Sequence, residues 1–107
     1  MVRLSEPNLI RQRQRVYSSR RSVTQPLVVV NLKTYETAHG ASAEALAKAI
    51  SSVETNARMI VAVSAFDLSS VVAAAPNLEV WCQHLDPVGF GSFTGWLHPA
   101  TAVERGA

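Results

Sequence analysis

Polar side chains stand at the ends of two apolar runs in this sequence, and their types suit the binding of an anion. Asn31 and Lys33 follow the run that begins at Leu27, and Gln83 ends a second run. A lysine ammonium at such a place attracts an anionic substrate and stabilises negative charge that develops on oxygen. An amide beside it can orient the lysine or hydrogen-bond the substrate. The alternative is a strand that ends in solvent with an ordinary lysine and an asparagine turn.

His84 and Asp86 follow the second run directly and have two interpretations of their own. They could form half of a metal site, or a dyad that moves protons. Neither His39 nor His98 has the spacing that would complete a ligand set, so we predict no metal. A small α/β enzyme whose site consists of Lys33, His84 and Asp86 stays open as a further interpretation.

A glycine-rich loop, GFGSFTG, covers residues 89–95. It lacks the ending of a phosphate-binding P-loop and the dinucleotide fingerprint, so it is a weak candidate for a phosphate cradle. Phe90, Phe93 and Trp96 cluster on it. Exposed aromatic clusters are costly on a monomer and often anchor a partner, so the loop predicts an interface. The alternative is that these rings pack on the chain's own core.

The elements that must position these residues begin after residue 25, where short apolar runs alternate with helix-like stretches. Strands are predicted over residues 27–30, 59–63 and 80–83. The first is a continuous apolar run rich in β-branched residues, which predicts a strand covered on both faces.

Helices are predicted between the strands and after the glycine-rich loop. The first covers residues 43–53 with Ser42 as its cap, the second starts after Asp67 and ends before Pro76, and the third runs from Pro99 to Gly106. The residues predicted to face the sheet are Leu46, Ile50 and Val53 in the first helix and Leu68, Val71 and Val72 in the second.

The order of these elements predicts an α/β fold with parallel strands joined by right-handed crossovers. Roughly 83 residues hold three β/α units, whereas a closed eight-unit barrel needs about 250 residues. In such folds ligands bind at the carboxyl ends of the strands, and Asn31, Lys33 and Gln83 all lie there.

Charge is unevenly distributed along the 107 residues, whose formal net charge is +2. Residues 1–24 contain six arginines and one acid, so the rest of the chain is mildly acidic. We predict a basic, disordered extension over residues 1–25 and a folded part over residues 26–107. An organellar transit peptide and a basic arm that contacts nucleic acid stay open for the extension.

Cys82 is the one cysteine, which excludes an internal disulfide framework and a cysteine metal cluster and predicts a reducing compartment. No apolar stretch reaches the roughly 18 to 20 residues that cross a bilayer, and the N-terminus has no hydrophobic segment of signal-peptide type. We therefore expect a cytoplasmic protein without membrane contact.

Three segments together resemble the N-terminal part of triosephosphate isomerase, in its short archaeal form. They are PLVVVNLKTYE, VWCQHLDPVGFGSFTG and HPATAVERGA, and the resemblance covers residues 26–107. It implies a (β/α)8 barrel of which this chain forms about the first three units. It also implies interconversion of dihydroxyacetone phosphate and glyceraldehyde 3-phosphate in glycolysis and gluconeogenesis, without cofactor or metal, by a dimer or tetramer.

The resemblance implies roles for single residues. Asn31 and Lys33 would contact the triose phosphate, with Lys33 the catalytic residue whose charge lies near the phosphate and the developing enediolate. Gln83 matches the polar end of the family's third strand. The loop that would insert beside a neighbouring subunit's active site contains Gly91, Phe93, Thr94 and Gly95, with Thr94 at its tip.

The resemblance also predicts that this chain is inactive alone. The family's electrophilic histidine follows strand four and its glutamate base follows strand six, and no residue here matches either. Phe93 and Trp96 stand where the archaeal form would have smaller or more polar residues. The alternative function is a non-catalytic binding module with an arginine-rich arm for nucleic acid, although the resemblance itself implies no contact with nucleic acid.

Overall fold

The structure is a computed structural model that describes residues 24–107. Residues 1–23 of the arginine-rich extension, and with them the predictions of disorder, a transit peptide or a nucleic-acid arm, lie outside the described residues.

The described residues form a three-stranded parallel sheet. Its strands are β1 (Leu27–Asn31), β2 (Arg58–Val63) and β3 (Glu79–Cys82), and they lie side by side in the order β1-β2-β3. Both neighbouring pairs are parallel, which confirms the α/β prediction. Valine and isoleucine dominate the first two strands because branched side chains pack well on a pleated surface.

Helices follow each strand, as the order of the elements predicted. The sheet is accompanied by α1 (Ala41–Ser51), α2 (Leu68–Ala74) and α3 (Pro99–Glu104), and short 3₁₀ turns cover Glu36–Ala38 and Ala65–Asp67. Pro99 occupies the first turn of α3, where its missing N–H costs nothing. Within residues 24–107 no helix is long and apolar enough to cross a membrane.

Small side chains on α1 make the contact with the sheet, which corrects one prediction. Ala43 and Ala47 are fully buried, Ile50 is partly buried, Leu46 is exposed, and Val53 lies beyond the end of the helix. Because alanine has no bulk beyond Cβ, the helix backbone can approach the strands closely, and the larger leucine is left outside. In α2, by contrast, the predicted inward residues are all buried, namely Leu68, Val71 and Val72.

The predicted cap of α1 is also wrong. Ser42 lies inside the first turn, and Gly40 occupies the N-cap position without a side-chain cap. Asp67 does stand at the N-cap of α2, yet its carboxylate makes no bond to that helix.

The helices cover one face of the sheet, so the prediction that β1 is buried on both faces is wrong. Val61, Val63 and Val80 pack against the helices, and Val30 lies beside them. The opposite face, which we call the open face, leaves Val29 41% exposed. β1 is an edge strand of the described sheet, so its apolar run has a neighbour on one side only.

An ion pair closes the amino end of the open face. Arg58 Nε and Nη2 donate to the two carboxylate oxygens of Glu79 at 3.0 and 2.7 Å, and Trp81 Nε1 donates to Glu79 Oε2 at 2.9 Å. The carboxylate of Glu79 raises the pKa of the Arg58 guanidinium. This planar two-bond geometry links β2 to β3 far from their carboxyl ends.

Candidate functional site

A tight turn follows β1 and is built by the strand's last residue. Asn31 Oδ1 accepts a hydrogen bond from the backbone N–H of Lys33 at 2.9 Å, as asparagine commonly does two residues ahead of itself. Leu32, between them, is only 4% exposed, and its N–H donates to the Ala62 carbonyl at 3.0 Å. The turn is therefore anchored by a buried leucine and by the neighbouring strand.

Lys33 has an unusual backbone conformation, with φ of 54°. This left-handed region is sparsely populated by residues other than glycine, asparagine and aspartate. It costs about 1–3 kcal/mol, so it persists only where the surroundings impose it. The chain is therefore not extended through Lys33, and the alternation of side chains along a strand does not apply to Asn31 and Lys33. The hydrogen bond from the Lys33 N–H to Asn31 Oδ1 joins the two residues, and the backbone of Lys33 is strained.

Gln83 supplies the surroundings that hold Lys33 in this conformation. Its side-chain Nε2 lies 3.1 Å from the Lys33 carbonyl oxygen, 3.2 Å from the Ala62 carbonyl oxygen and 3.3 Å from Asn31 Oδ1. Its backbone N–H donates to the Val63 carbonyl at 2.8 Å, which continues the β3 pairing with β2. One amide group therefore joins the carboxyl ends of all three strands, and sequence spacing indicated only that it would be polar.

His84 and Asp86 do come together, but their contacts point to a structural role. His84 Nε2 and Asp86 Oδ1 are 3.0 Å apart, and Asp86 Oδ2 accepts from the Leu97 N–H at 2.7 Å. The Asp86 N–H in turn donates to the Leu97 carbonyl at 2.9 Å. Asp86 therefore closes the base of the glycine-rich loop, a contact across eleven residues that spacing could not reveal.

Two interpretations of His84 and Asp86 need a third residue beside them, namely a metal site and an enzyme site that includes Lys33. Among the described residues no three His, Cys, Asp or Glu side chains are placed to hold a metal ion. The backbone N–H and carbonyl of Lys33 bond to Asn31 and Gln83. Among residues 24–107, no hydrogen bond joins Lys33 to His84 or Asp86. The described geometry gives no support to a site of Lys33, His84 and Asp86.

Acid should loosen the base of this loop. The Leu97 N–H, and after it His84, lower the pKa of the Asp86 carboxyl below its ordinary value of 3.8. Because the folded pKa lies below the unfolded one, the stabilisation is complete above pH 3.8 and is lost as pH falls through the lower, folded value.

We expect the Leu97 amide proton resonance to move upfield in that acidic window. In Asp86→Asn it should hardly titrate, whereas Glu54→Gln, at an exposed site, should leave the transition unchanged. A Leu97 transition that survives in Asp86→Asn would refute this assignment.

Two glycines shape the tip of the loop. The Trp96 N–H donates to the Phe93 carbonyl at 3.0 Å, which forms a turn with Thr94 and Gly95 at its centre. Gly95 has φ of 84°, as the third position of such a turn requires, and Gly91 has φ of 152°. Residues with a Cβ rarely adopt the φ of Gly91, and a Cβ added there would also lie 3.0 Å from the Phe93 ring, so this position favours glycine as well.

The aromatic rings of the loop lie at the surface. Phe90 is 89% exposed and Trp96 is 54% exposed, and Phe93 is also exposed. Phe93 and Trp96 contact each other with ring centroids 5.5 Å apart, and Phe90 lies 4.2 Å from the ring of His98. The alternative in which these rings pack on the chain's own core is not what the structure shows.

Comparison with known proteins gives the family. The sequence model of the family described as Triosephosphate isomerase matches residues 26–107. The chain belongs to the triosephosphate isomerase family. Among curated relatives, the triosephosphate isomerase of Archaeoglobus fulgidus is 39% identical over 83 residues, covering 76% of this chain and 37% of the relative. That of Metallosphaera sedula is 36% identical over 84 residues, covering 77% and 36%, and that of Methanothermus fervidus is 38% identical over 85 residues, covering 78% and 38%.

Family membership confirms the resemblance and gives the partial sheet its context. Three parallel strands alternating with helices are consistent with part of the family's β/α barrel, and the enzymes of this family are isomerases. The chain spans little more than a third of the length of the triosephosphate isomerases it matches. The roles of single residues within that family are therefore taken up as proposals.

Proposed function

We propose that this chain supplies the charge-stabilising part of a triosephosphate isomerase active site. Asn31 and Lys33 contact the triose phosphate, and Lys33 places its ammonium near the phosphate and the oxygen that becomes negative. The observation that carries this proposal is the strained Lys33 backbone, held by Asn31 and Gln83. Backbone strain of this kind clusters at functional sites. A lysine that merely ended a strand would gain nothing from such strain.

The chemistry assigned to Lys33 is electrostatic. Isomerisation moves a proton between adjacent carbons, and removing it leaves negative charge on the neighbouring oxygen in an enediolate. A fixed ammonium stabilises that charge without reorganising in the transition state. Asn31 directs its side-chain oxygen to the Lys33 N–H, so it orients the turn from which the ammonium projects.

The groups that move the proton are not assigned to any described residue. His84 is paired with Asp86 at the base of the loop, His98 caps α3, and neither has a described contact with Lys33. Without positioned acid and base groups, turnover loses a factor of about 10² to 10⁴ for each. We therefore propose that the 107-residue chain has no isomerase activity alone.

The glycine-rich loop serves as a subunit contact in the same proposal. Its support is the exposure of Phe90 and Trp96 on a loop that Asp86 closes at the base. Gly91 and Gly95 give the turn its shape, and Thr94 stands at the tip. The assembled enzyme is then a homo-oligomer, a dimer or tetramer, and a glycolytic enzyme of this kind works in the cytoplasm.

The direct test is a hybrid enzyme. Residues 25–107 replace the matching N-terminal segment of the Archaeoglobus fulgidus triosephosphate isomerase, and turnover of glyceraldehyde 3-phosphate is followed in a coupled assay. We expect the hybrid to isomerise its substrate and the 107-residue chain to stay at background. Robust turnover by the 107-residue chain would overturn its inactivity. A hybrid that is folded by circular dichroism but inactive, beside an active parent, would overturn the proposed site.

A further inference from the structure

A contact between two β/α units holds the far end of the segment that carries Lys33. The backbone N–H of Gly40 donates to Asp67 Oδ1 at 3.1 Å, in a partly buried position. Gly40 is the N-cap residue of α1 and has φ of 56°, whereas Asp67 belongs to the turn after β2. The carboxylate of one unit thus satisfies the donor that precedes the helix of another, a donor that a local glutamate often serves.

Asp67 is itself a fixed point. Its N–H donates to the Ser64 carbonyl at 2.9 Å, and its carbonyl accepts from Ser70 Oγ at 3.1 Å. Its side chain makes no bond to its own helix, although it occupies the N-cap position there. The carboxylate is therefore directed at Gly40 from a backbone that is held on both sides.

The segment between the Gln83 contact and the Asp67 contact is short and is stabilised by a hydrogen bond within it. It runs from Lys33, which Gln83 holds, to Gly40, which Asp67 holds. Between them the 3₁₀ turn is closed by the Ala38 N–H donating to the Tyr35 carbonyl at 3.0 Å, and Ala38 is buried. Because the segment is short and hydrogen-bonded within itself, a displacement of Gly40 is expected to be transmitted to the strained lysine.

We infer that Asp67 is a positioning residue for Lys33, acting through the segment 33–40. Gln83 fixes the start of this segment and Asp67 fixes its end, so the second and third β/α units together determine where the lysine of the first unit stands. The inference rests on the proposed function for its purpose, and its geometry is testable without turnover.

Hydrogen exchange in the full 107-residue chain tests the inference. In Asp67→Ala the acceptor of the Gly40 N–H is lost, and we expect the Gly40 and Lys33 amides to exchange at least about fivefold faster than in the unmodified chain. Asp67→Asn keeps an acceptor oxygen at the same place and should restore both rates to within about twofold. The Val61 amide in β2 reports global opening and should keep its rate in both variants.

Two further variants keep the result decisive. Glu44→Ala removes a carboxylate from the first turn of the same helix without removing the acceptor of Gly40, so it should leave Lys33 exchange unchanged and separates hydrogen bonding from the helix dipole. If Asp67→Ala does not fold, Asp67→Ser retains a capping residue whose oxygen stands one bond closer to the backbone, and the same acceleration at Lys33 is expected. Faster exchange at Gly40 with an unchanged Lys33 would overturn the inference. An inactive hybrid with a coupled Lys33 would instead overturn only the proposed function.

Discussion

Replacing Lys33 by methionine in the hybrid enzyme is expected to lower kcat/KM by about 10²- to 10³-fold, the loss typical of removing one fixed group that stabilises an oxyanion. Methionine keeps the length of the side chain and removes its charge. The loss should therefore appear at saturating substrate as well as at low substrate, because the charge on oxygen grows as the proton leaves. Steady-state kinetics in the coupled assay separate the two parameters.

The matched control for this prediction is Lys48→Met. Lys48 is exposed on α1, and its removal changes the net charge by the same amount, so kcat/KM should stay within about twofold of the unmodified hybrid. A third variant, Lys33→Gly, removes the same charge but tolerates φ of 54°, so it should raise the free energy of unfolding by about 1 kcal/mol while lowering activity equally. Equal small losses in Lys33→Met and Lys48→Met would show that Lys33 is an ordinary surface lysine.

Replacing Gln83 by leucine should cost the hybrid about 10- to 10²-fold in kcat/KM, because small displacements of a catalytic group are costly. Leucine occupies a similar volume but leaves the Lys33 and Ala62 carbonyls and Asn31 Oδ1 without their shared donor. Gln83→Glu should be worse, although it is nearly isosteric, since its carboxylate would face three oxygen acceptors.

Gln25→Leu is the control for Gln83. Gln25 also donates from Nε2 to a backbone carbonyl, that of Asn56 at 3.0 Å, near the amino ends of the strands. Its loss should leave kcat/KM unchanged within about twofold. The prediction fails if Gln83→Glu retains full activity, since the donor would then be dispensable.

The order of strands and helices could be predicted because it depends on local patterns. Apolar runs rich in valine lie in the strands, and Pro99 starts its helix in the expected place. The inward face of α1 was mispredicted because hydrophobicity favoured Leu46, whereas the spacing between helix and sheet favours alanine. Local propensity does not record how closely two elements approach.

The sequence indicated which residues of the candidate site would come together, but not the geometry of their contacts. Asn31, Lys33 and Gln83 could be chosen because parallel strands place their carboxyl ends together. The positive φ of Lys33 has no signal in the sequence, since lysine is not a residue that favours it. The bonds from Asp67 to Gly40 and from Asp86 to Leu97 span 27 and 11 residues, so they arise only once the chain has folded.

The ion pair at the amino end of the open face leaves the charge along the strands unevenly distributed. Arg58 is paired with Glu79 at one end, whereas Lys33, at the other end, has no ion pair among the described residues. In the proposed function, Lys33 therefore draws the anionic substrate toward the carboxyl ends of the strands. Because attraction between exposed charges is screened over about 8 Å at physiological ionic strength, added salt is expected to slow capture of that substrate.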